Sequence, residues 1–303
     1  MTAKHEQQDT TAASPTESRL TASEGLDTLP PAEVLALLNA HDRVAVDAVR
    51  DALPLVAELV ELAAERFRRG GIVHYFGAGT PGRLGVLDAA ELIPTFGLEP
   101  GRVVAHIAGG PDALVAALEH AEDSVEAGAA DASGLGPDDV AIGLTASGRT
   151  PYVAGALEAA RRAGAHTALV SSNPRAPLAR LADTNIVVDT GPEVLTGSTR
   201  LKAGTAEKLV LNGFSTALMV AVGRTWSNLM VSVVATNAKL RDRTVRILRE
   251  ASGLGAAEAH ALLAATGGDL RTAIVAALAG VDPAHARTML DAARGSVRDA
   301  LEP

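Results

Sequence analysis

The sequence GAGTPGRLG at residues 77–85 decides the fold, and it directly follows the apolar run 72–76. A buried strand that leads through a glycine-rich turn into a helix is suited to binding an anion. The glycines let backbone N–H groups approach a ligand, and the helix start adds partial positive charge. A second such turn, TASGRT at residues 145–150, follows the apolar run 140–144. Two turns of this kind predict a phosphorylated small molecule as the ligand.

Strand-like and helical patterns alternate around these two turns. The strand-like runs lie near residues 72–76, 102–107, 139–144, 166–171 and 184–188, with helical patterns at 111–130 and 151–164. This alternation predicts an α/β fold, a doubly wound parallel sheet flanked by helices. In such sheets ligands bind beyond the carboxyl ends of the strands, where both turns fall.

The remaining sequence is largely helical. A helix is expected from Pro31, followed by an amphipathic segment from Arg43 to Arg69 that Pro54 interrupts. Further helical patterns cover 203–222, 228–250, 256–265, 270–279 and 283–293. We therefore expect a disordered tail at 1–18, a main sugar-phosphate domain at 19–250 and a small helical domain at 251–303.

Composition narrows the classes of function. The 303 residues carry a net charge of −9, which argues against a nucleic-acid partner, and the absence of cysteine excludes disulfides and thiolate catalysis. The eight histidines form neither H-x-H nor H-E-x-x-H, so we expect no metal site. No apolar run reaches about 18 residues and the N-terminus has no apolar leader, so we expect a cytoplasmic protein without a membrane partner.

The two turns supply most of the candidate ligand-binding residues. In the first turn these are Gly79, Thr80, Gly82 and Arg83, and in the second Ser147, Gly148, Arg149 and Thr150. The first turn fits the dinucleotide-binding pattern G-x-G-x-x-G only loosely. No Asp or Glu stands at the end of a second strand about 20 residues later, where such a residue would bind a ribose. The competing interpretation is an ordinary tight turn or a helix N-cap. Two turns in one sheet favour a ligand.

Glu91 and an acidic cluster are the candidate acids and bases. Glu91 lies in the apolar sequence DAAELIPTFG, where a carboxyl group can stay protonated and act as a general acid. A surface glutamate is the alternative. Glu119, Glu122, Asp123 and Glu126 share one face of the predicted helix 111–130. Such a cluster is usually a solvated face, although repulsion can turn one member into a base.

The segment 191–212 could form a second wall of a sugar site. Its dense polar side chains are Glu193, Thr196, Ser198, Thr199, Arg200, Lys202, Thr205 and Lys208. Of these, Ser198 and Lys202 are the candidate substrate contacts. A capped helix with charged flanks is the alternative interpretation.

Together these stretches resemble the N-acetylmuramic acid 6-phosphate etherases of the sugar isomerase (SIS) superfamily. The resemblance rests on GAGTPGRLGVLDAAELIPTFG, IAGG followed by EHAEDS, ASGRTPYV, GPEVLTGSTRLKAGTAEKLVLN and NLMVSVVATNAKL. It runs from about Thr16 to the end of the chain. It implies an SIS-type sheet with a small C-terminal helical domain, and a homodimer whose substrate site is near the subunit interface.

The resemblance also implies a reaction and roles for individual residues. The D-lactyl ether at C3 of the sugar phosphate is cleaved by elimination and hydration, with no metal or redox cofactor. Glu91 matches the proton donor to the departing lactate, and Glu122 matches the second catalytic glutamate, which we assign as the C2 base. Ser147, Gly148, Arg149 and Thr150 match the phosphate loop.

The chain departs from the family pattern at three places. Pro81 stands where serine is usual, which removes one hydroxyl and one N–H, and Ser232 stands where aspartate is usual. The N-terminal signature after Thr16 is also altered. Two alternatives stay open. Pro81 leaves room for a non-catalytic SIS protein that senses a sugar phosphate, similar to glucokinase regulatory protein. The other alternative is an aldose–ketose isomerase or amino-sugar deaminase on the same fold, because that chemistry also uses a carboxylate base at C2.

Overall fold

A computed structural model of the chain describes residues 14–233 and 238–302. Most of the expected disordered tail, residues 1–13, lies outside them. The end of that predicted tail is ordered, contrary to expectation. Pro15–Glu17 form a short 3-10 helix with Thr16 fully buried, and the Thr16 carbonyl accepts a hydrogen bond from the Gly197 N–H at 3.2 Å. This segment packs against the loop that precedes the last helix of the main domain.

Five parallel strands form the central sheet, in the order β2-β1-β3-β4-β5. Their bounds are Val73–Gly77 (β1), Val103–Ile107 (β2), Val140–Leu144 (β3), His166–Ser171 (β4) and Thr184–Val187 (β5). The order reverses between β1 and β3, and ligands bind at such a reversal in doubly wound sheets. The predicted fold class is confirmed.

Helices cover both faces of the sheet. They are Pro31–Arg68 (α1), Gly79–Phe96 (α2), Val125–Asp131 (α3), Pro151–Arg162 (α4) and Lys202–Ala221 (α5). One apolar core joins α1, α2 and α5 to the sheet and includes Leu59, Tyr75 and Phe214, while the other lies under α4 and includes Phe76 and Leu157. Adjacent residues of β1 thus face opposite cores, which is why the strand is apolar throughout.

The first helix runs without a break through Pro54, so the predicted interruption is wrong. Proline removes one backbone hydrogen bond and usually kinks or ends a helix. Here Ala52 and Val56 on either side of it are buried, within the face that α1 packs against the core. Packing along the whole length of the helix offsets the local loss.

The predicted helix at 111–130 is also wrong. This stretch forms two short 3-10 helices, Pro111–Leu114 and Ala121–Asp123, before α3 begins. His120 adopts a left-handed conformation with φ of 63°, which an α-helix does not accommodate. The acidic residues between 119 and 126 therefore do not share one helical face.

A separate helical domain follows the sheet. Its helices are Ala238–Ser252 (α6), Ala256–Ala265 (α7), Leu270–Ala279 (α8), Pro283–Ala292 (α9) and Val297–Leu301 (α10). They enclose their own core, which includes Ile247 and Leu248 of α6. By packing, α6 therefore belongs to this domain, although the expected boundary at 250 assigned it to the main domain. The helix expected from 228 is described only from Ala238, after a turn in which Trp226 pairs with Leu229.

Within residues 14–233 and 238–302, no single helix has the length and apolar character needed to cross a membrane. The bent pair α7 and α8, with 117° between the helices, meets that test by length and composition only. Leu263, Leu270 and Ile274 of this pair are buried in the C-terminal core.

Candidate active site

The two glycine-rich turns lie side by side at the carboxyl edge of the sheet. Gly77, the last residue of β1, pairs with Leu144, the last residue of β3. The chain then enters α2 at Gly79 and α4 at Pro151. Both turns therefore lie where the strand order reverses, and each places the N-terminus of a helix at this edge of the sheet.

The first turn is packed backbone against backbone. A Cβ on Gly82 would lie 2.7 Å from the Gly77 carbonyl oxygen and 2.7 Å from the Ile107 side chain, so no other residue fits there. Pro81 is the third residue of α2, where a backbone N–H has no acceptor within the helix. Proline therefore costs the helix little here, but it removes a donor that an anion could use.

The second turn presents hydroxyl groups. Thr145 Oγ1 lies 2.8 Å from Thr150 Oγ1 and accepts the Gly148 N–H at 3.2 Å. Ser147 Oγ accepts the Arg149 N–H at 3.3 Å. Ser147 and Thr150 are half-buried, whereas Arg149 is exposed. Hydroxyls and backbone donors gathered around one turn suit the oxygens of a phosphate monoester.

Contacts from the segment after β4 hold this second turn in place. Asn173 Nδ2 donates to the Ser147 carbonyl at 2.8 Å, and the Leu178 N–H donates to the Gly148 carbonyl at 3.2 Å. Gly148 has a φ of 69°, and a Cβ there would clash with Ala176. The turn is thus fixed before any ligand arrives.

Glu91 lies on the exposed side of α2. Within residues 14–233 and 238–302 the apolar enclosure expected from its sequence neighbours does not form, because Leu87 and Ile93 are themselves 50% and 45% exposed. Leu87 lies one helical turn before Glu91, so an exposed apolar side chain adjoins the carboxylate on the same face of α2. Such a surface is typical of a place that another molecule covers.

Glu122 is exposed within the 3-10 helix Ala121–Asp123. That segment packs over the carboxyl end of β2, because a Cβ on Gly109 would lie 2.8 Å from Leu118 and 3.2 Å from Ala121. Glu122 therefore belongs to the same edge of the sheet as the two turns.

Arg83, predicted to bind substrate, instead holds the segment that leads to Glu122. Its guanidinium donates to the carbonyls of Ala113, Leu114 and Ala116 at 3.0, 3.2 and 2.8 Å. Three bonds to one stretch of backbone make Arg83 an anchor, and they draw those carbonyls away from helical pairing.

The segment 191–204 completes this side of the site. Its Gly204 lies against Thr80 of the first turn, since a Cβ there would be 3.4 Å from the threonine methyl. Ser198 is half-buried. Lys202 is buried, donates from Nζ to the Thr190 carbonyl at 2.8 Å, and has its pKa lowered by burial. Glu193 is fully buried and accepts the backbone N–H of Lys202. As predicted by the alternative interpretation, the start of α5 is capped, and Lys202 contacts backbone.

Two buried carboxyl groups escaped the sequence analysis. Asp88 of α2 accepts hydrogen bonds from Tyr75 at 3.0 Å, Asn212 at 2.9 Å and Ser215 at 3.0 Å, and burial raises its pKa. Glu207 of α5 is buried, its Oε1 has no hydrogen-bond partner among the described residues, and burial raises its pKa to about 8. Both depend on contacts between distant segments, which spacing along the chain does not reveal.

The part of the chain that the structure describes contains no group of three or more histidine or acidic residues positioned to hold a metal ion. The candidate site is therefore built from hydroxyls, backbone N–H groups and single carboxylates.

Comparison with known proteins extends this description. The glucokinase regulatory protein N-terminal SIS domain matches residues 55–161, and the SIS domain matches residues 119–211. A phosphoheptose isomerase from Francisella tularensis aligns with 63% of this chain and 98% of its own, with 15% identity and a TM-score of 0.49.

Much higher identity links the chain to proteins named N-acetylmuramic acid 6-phosphate etherase. The one from Thermobifida fusca is 56% identical over 264 residues, 87% of each chain. Those from Mycolicibacterium smegmatis and Salmonella typhimurium are each 51% identical over 288 residues, 94% of this chain and 97% of theirs. The chain therefore belongs to the N-acetylmuramic acid 6-phosphate etherase family.

Proposed function

We propose that this chain is a carbon–oxygen lyase that cleaves the D-lactyl ether of N-acetylmuramic acid 6-phosphate. The products are N-acetylglucosamine 6-phosphate and D-lactate, as expected in the recycling of cell-wall amino sugars. The observation that carries this proposal is the 56% identity with a named etherase over 87% of the chain. No relative described above is a regulator over comparable length, so the sensor alternative has no support of equal weight.

The chemistry proceeds by elimination and then hydration. In the ring-opened aldehyde, Glu122 takes the C2 proton, which the neighbouring carbonyl makes acidic. The C3–O bond breaks, and Glu91 gives a proton to the lactate oxygen as it leaves. Water then adds at C3 of the unsaturated intermediate, and the ring closes.

The second turn holds the 6-phosphate in this proposal. Ser147 and Thr150 offer hydroxyls beside the start of α4, and the Gly148 and Arg149 N–H groups hold the hydroxyls of Thr145 and Ser147 in place. The first turn, with Gly79, Thr80 and Gly82, places the start of α2 opposite the start of α4. Ser198 lines the wall formed by 191–204. A monoester dianion matches this set of donors.

The two catalytic glutamates have different positions relative to the turns. Glu122 lies at the carboxyl edge of the sheet, on the segment that Arg83 ties to the first turn of α2. Glu91 lies twelve residues beyond Gly79 on α2, about 18 Å along the helix. That is much farther than one sugar ring extends, so Glu91 of the same chain does not reach a sugar held at the turns.

A homodimer resolves this separation. We infer that Glu91 of a second copy completes the site that contains Glu122 and the turns of the first. The exposed Leu87 and Ile93 of α2, together with Val115, which is 93% exposed, supply apolar surface for that contact. Burial between subunits would then give Glu91 the apolar surroundings that a general acid needs. A cytoplasmic location is part of the proposal, because charged sugar phosphates are retained inside the membrane that encloses them.

Release of D-lactate from N-acetylmuramic acid 6-phosphate tests the activity, measured with a coupled lactate dehydrogenase assay. The proposal predicts turnover by the parent protein and none above background for the double variant Glu91→Gln/Glu122→Gln. Equal lactate release by both proteins, or none by either, would overturn it.

Mixed dimers test the shared site. Glu91→Gln and Glu122→Gln are inactive alone, but a dimer with one of each contains one intact site if Glu91 comes from the partner. After subunit exchange, an equal mixture recovers about a quarter of the parent activity per chain. If both glutamates of a site came from one chain, every site would be defective and the mixture would stay inactive.

A further inference from the structure

An open cleft of about 1010 Å³ lies between the main domain and the C-terminal helices. Phe67 and Arg68 at the end of α1 and Arg102 just before β2 form one wall. These residues precede the strands, so the cleft is at the amino edge of the sheet. A five-residue strand spans roughly 16 Å, which separates the cleft from the glycine-rich turns. Its volume suits a small-molecule site.

The lining of this cleft is basic in an acidic protein. Its arginines are Arg68, Arg102, Arg224, Arg294 and Arg298. Asp299 is the one carboxylate among the described lining residues, while the whole chain carries a net charge of −9. Positive charge concentrated in a concave surface raises the local concentration of anions.

Two of these arginines have acidic neighbours outside the lining. Arg224 binds Glu99 at 3.0 Å, and Arg298 approaches Glu302 at 3.4 Å. Five arginines against three carboxylates, with Asp299 included, still leave an excess of two positive charges.

Backbone carbonyls hold the two arginines of the α1 wall. Arg68 donates to the Ala221 carbonyl, and Arg102 donates to the carbonyls of Phe67 and Gly70. Carbonyl oxygens hold a guanidinium in place without neutralising it. These two side chains are therefore cations held in this wall of the cleft.

Arg294 faces them from the C-terminal domain. It follows α9 with a φ of 53°, a conformation that residues other than glycine rarely adopt. Its side chain is exposed and has no hydrogen bond or ion pair within the described residues of the chain. Arg298 lies beside it in the lining, with its guanidinium 5.0 Å from the Trp226 ring centre.

We propose that this cleft binds a small organic phosphate with at least two negative charges. Guanidinium groups bind phosphate through paired hydrogen bonds, and Arg294 is available for that role. Val222 and Met289 add apolar lining against which a ring can pack. The bound anion bridges the two domains, and it occupies a site separate from the substrate turns.

Fluorescence of Trp226, the one tryptophan in the sequence, gives a direct readout. The full chain is titrated with inorganic pyrophosphate and with ADP at constant ionic strength. We expect a saturable change with both probes, and at least equal affinity for ADP because its ring adds apolar contact. A titration that does not saturate with either probe would overturn the proposed site. Weaker binding of ADP than of pyrophosphate would overturn the proposal that the ligand is an organic phosphate.

Charge variants locate the binding. Arg294→Gln weakens pyrophosphate binding at least about tenfold, as expected for one charge-assisted hydrogen bond, and Arg294→Lys weakens it less. Arg50→Gln removes the same charge from an exposed position on α1 and leaves affinity unchanged. Equal weakening by Arg50→Gln would show a general charge effect and contradict the proposal.

The substrate site provides the last control. Ser147→Ala leaves the fluorescence titration unchanged, whereas loss of the response would place the probe at the turns and overturn the cleft site. Arg294→Gln keeps its D-lactate release in the absence of pyrophosphate, so this proposal and the proposed activity fail independently.

Discussion

The two glycine-rich turns look alike in sequence but are built differently. In the first, glycines 77 and 82 touch backbone to backbone, and Arg83 turns away to bind three carbonyls. In the second, Thr145, Ser147 and Thr150 place hydroxyl groups around a backbone that neighbouring segments hold. One turn is a tight packing junction, and the other is a polar surface.

This difference suggests a division of labour. The first turn fixes α2, which carries Glu91, and through Arg83 it anchors the segment that carries Glu122. In the proposed function, the second turn holds the phosphate. Changes at Arg83 should therefore act mainly on kcat, and changes in the second turn mainly on substrate affinity.

The largest effect is expected for Glu91→Gln. Loss of a general acid lowers the rate of lactate release by about 10²- to 10⁴-fold, because the leaving alkoxide has no proton donor. Exchange of the C2 proton with solvent deuterium, followed by NMR, should continue because Glu122 remains. If C2 proton exchange falls as much as lactate release does, Glu91 is not the proton donor to the leaving lactate.

Gly148→Ala tests the rigidity of the second turn. The added methyl group meets Ala176 and requires a left-handed alanine, which together should cost about 2–4 kcal/mol of stability in urea unfolding. Gly79→Ala is the matched control, because Gly79 has a φ of 57° but nothing within 4 Å of an added Cβ. It should cost only about 1–2 kcal/mol. Equal losses would mean that the close contact at Gly148 does not stabilise the turn.

Arg83→Gln distinguishes two roles for Arg83, holding the segment that carries Glu122 and contacting the substrate directly. Without its bonds to the carbonyls of 113–116, the segment bearing Glu122 loosens and kcat should fall about tenfold, with little change in KM. Arg83→Lys should restore part of the loss. A tenfold rise in KM at constant kcat would instead support the direct substrate contact that the sequence predicted.

Pro81→Ser should have the smallest effect. It returns one hydroxyl and one N–H to the first turn, and a neutral hydrogen bond would tighten product binding roughly two- to tenfold. Pro81→Ala returns the N–H alone and should give less. Weaker binding by both variants would show that the fixed φ of proline shapes this turn.

Apolar runs and glycine positions predicted the sheet well. All five strands lie within one or two residues of their expected places, because buried parallel strands are continuous apolar segments between clear turns. The expected helix at 111–130 failed for a tertiary reason. Arg83 binds the carbonyls of Ala113 and Ala116, and His120 is left-handed, so this stretch does not follow the helical preference of a sequence rich in alanine, leucine and glutamate.

The candidate site was predictable only where chemistry follows a local motif. The hydroxyls of Thr145, Ser147 and Thr150 do meet, as a turn of six residues requires. The role of Lys202 and the burial of Asp88 depend on partners far along the chain. The separation between Glu91 and the turns became visible only once α2 was known to continue to Phe96.

Binding of N-acetylglucosamine 6-phosphate tests the division of labour most directly, measured by isothermal titration calorimetry for three proteins. Ser147→Ala should bind this sugar phosphate about 10- to 150-fold more weakly than the parent, because one charge-assisted hydrogen bond is lost. Glu91→Gln should bind it as the parent does. If Ser147→Ala keeps the parent affinity, the second turn does not hold the phosphate and the account is contradicted.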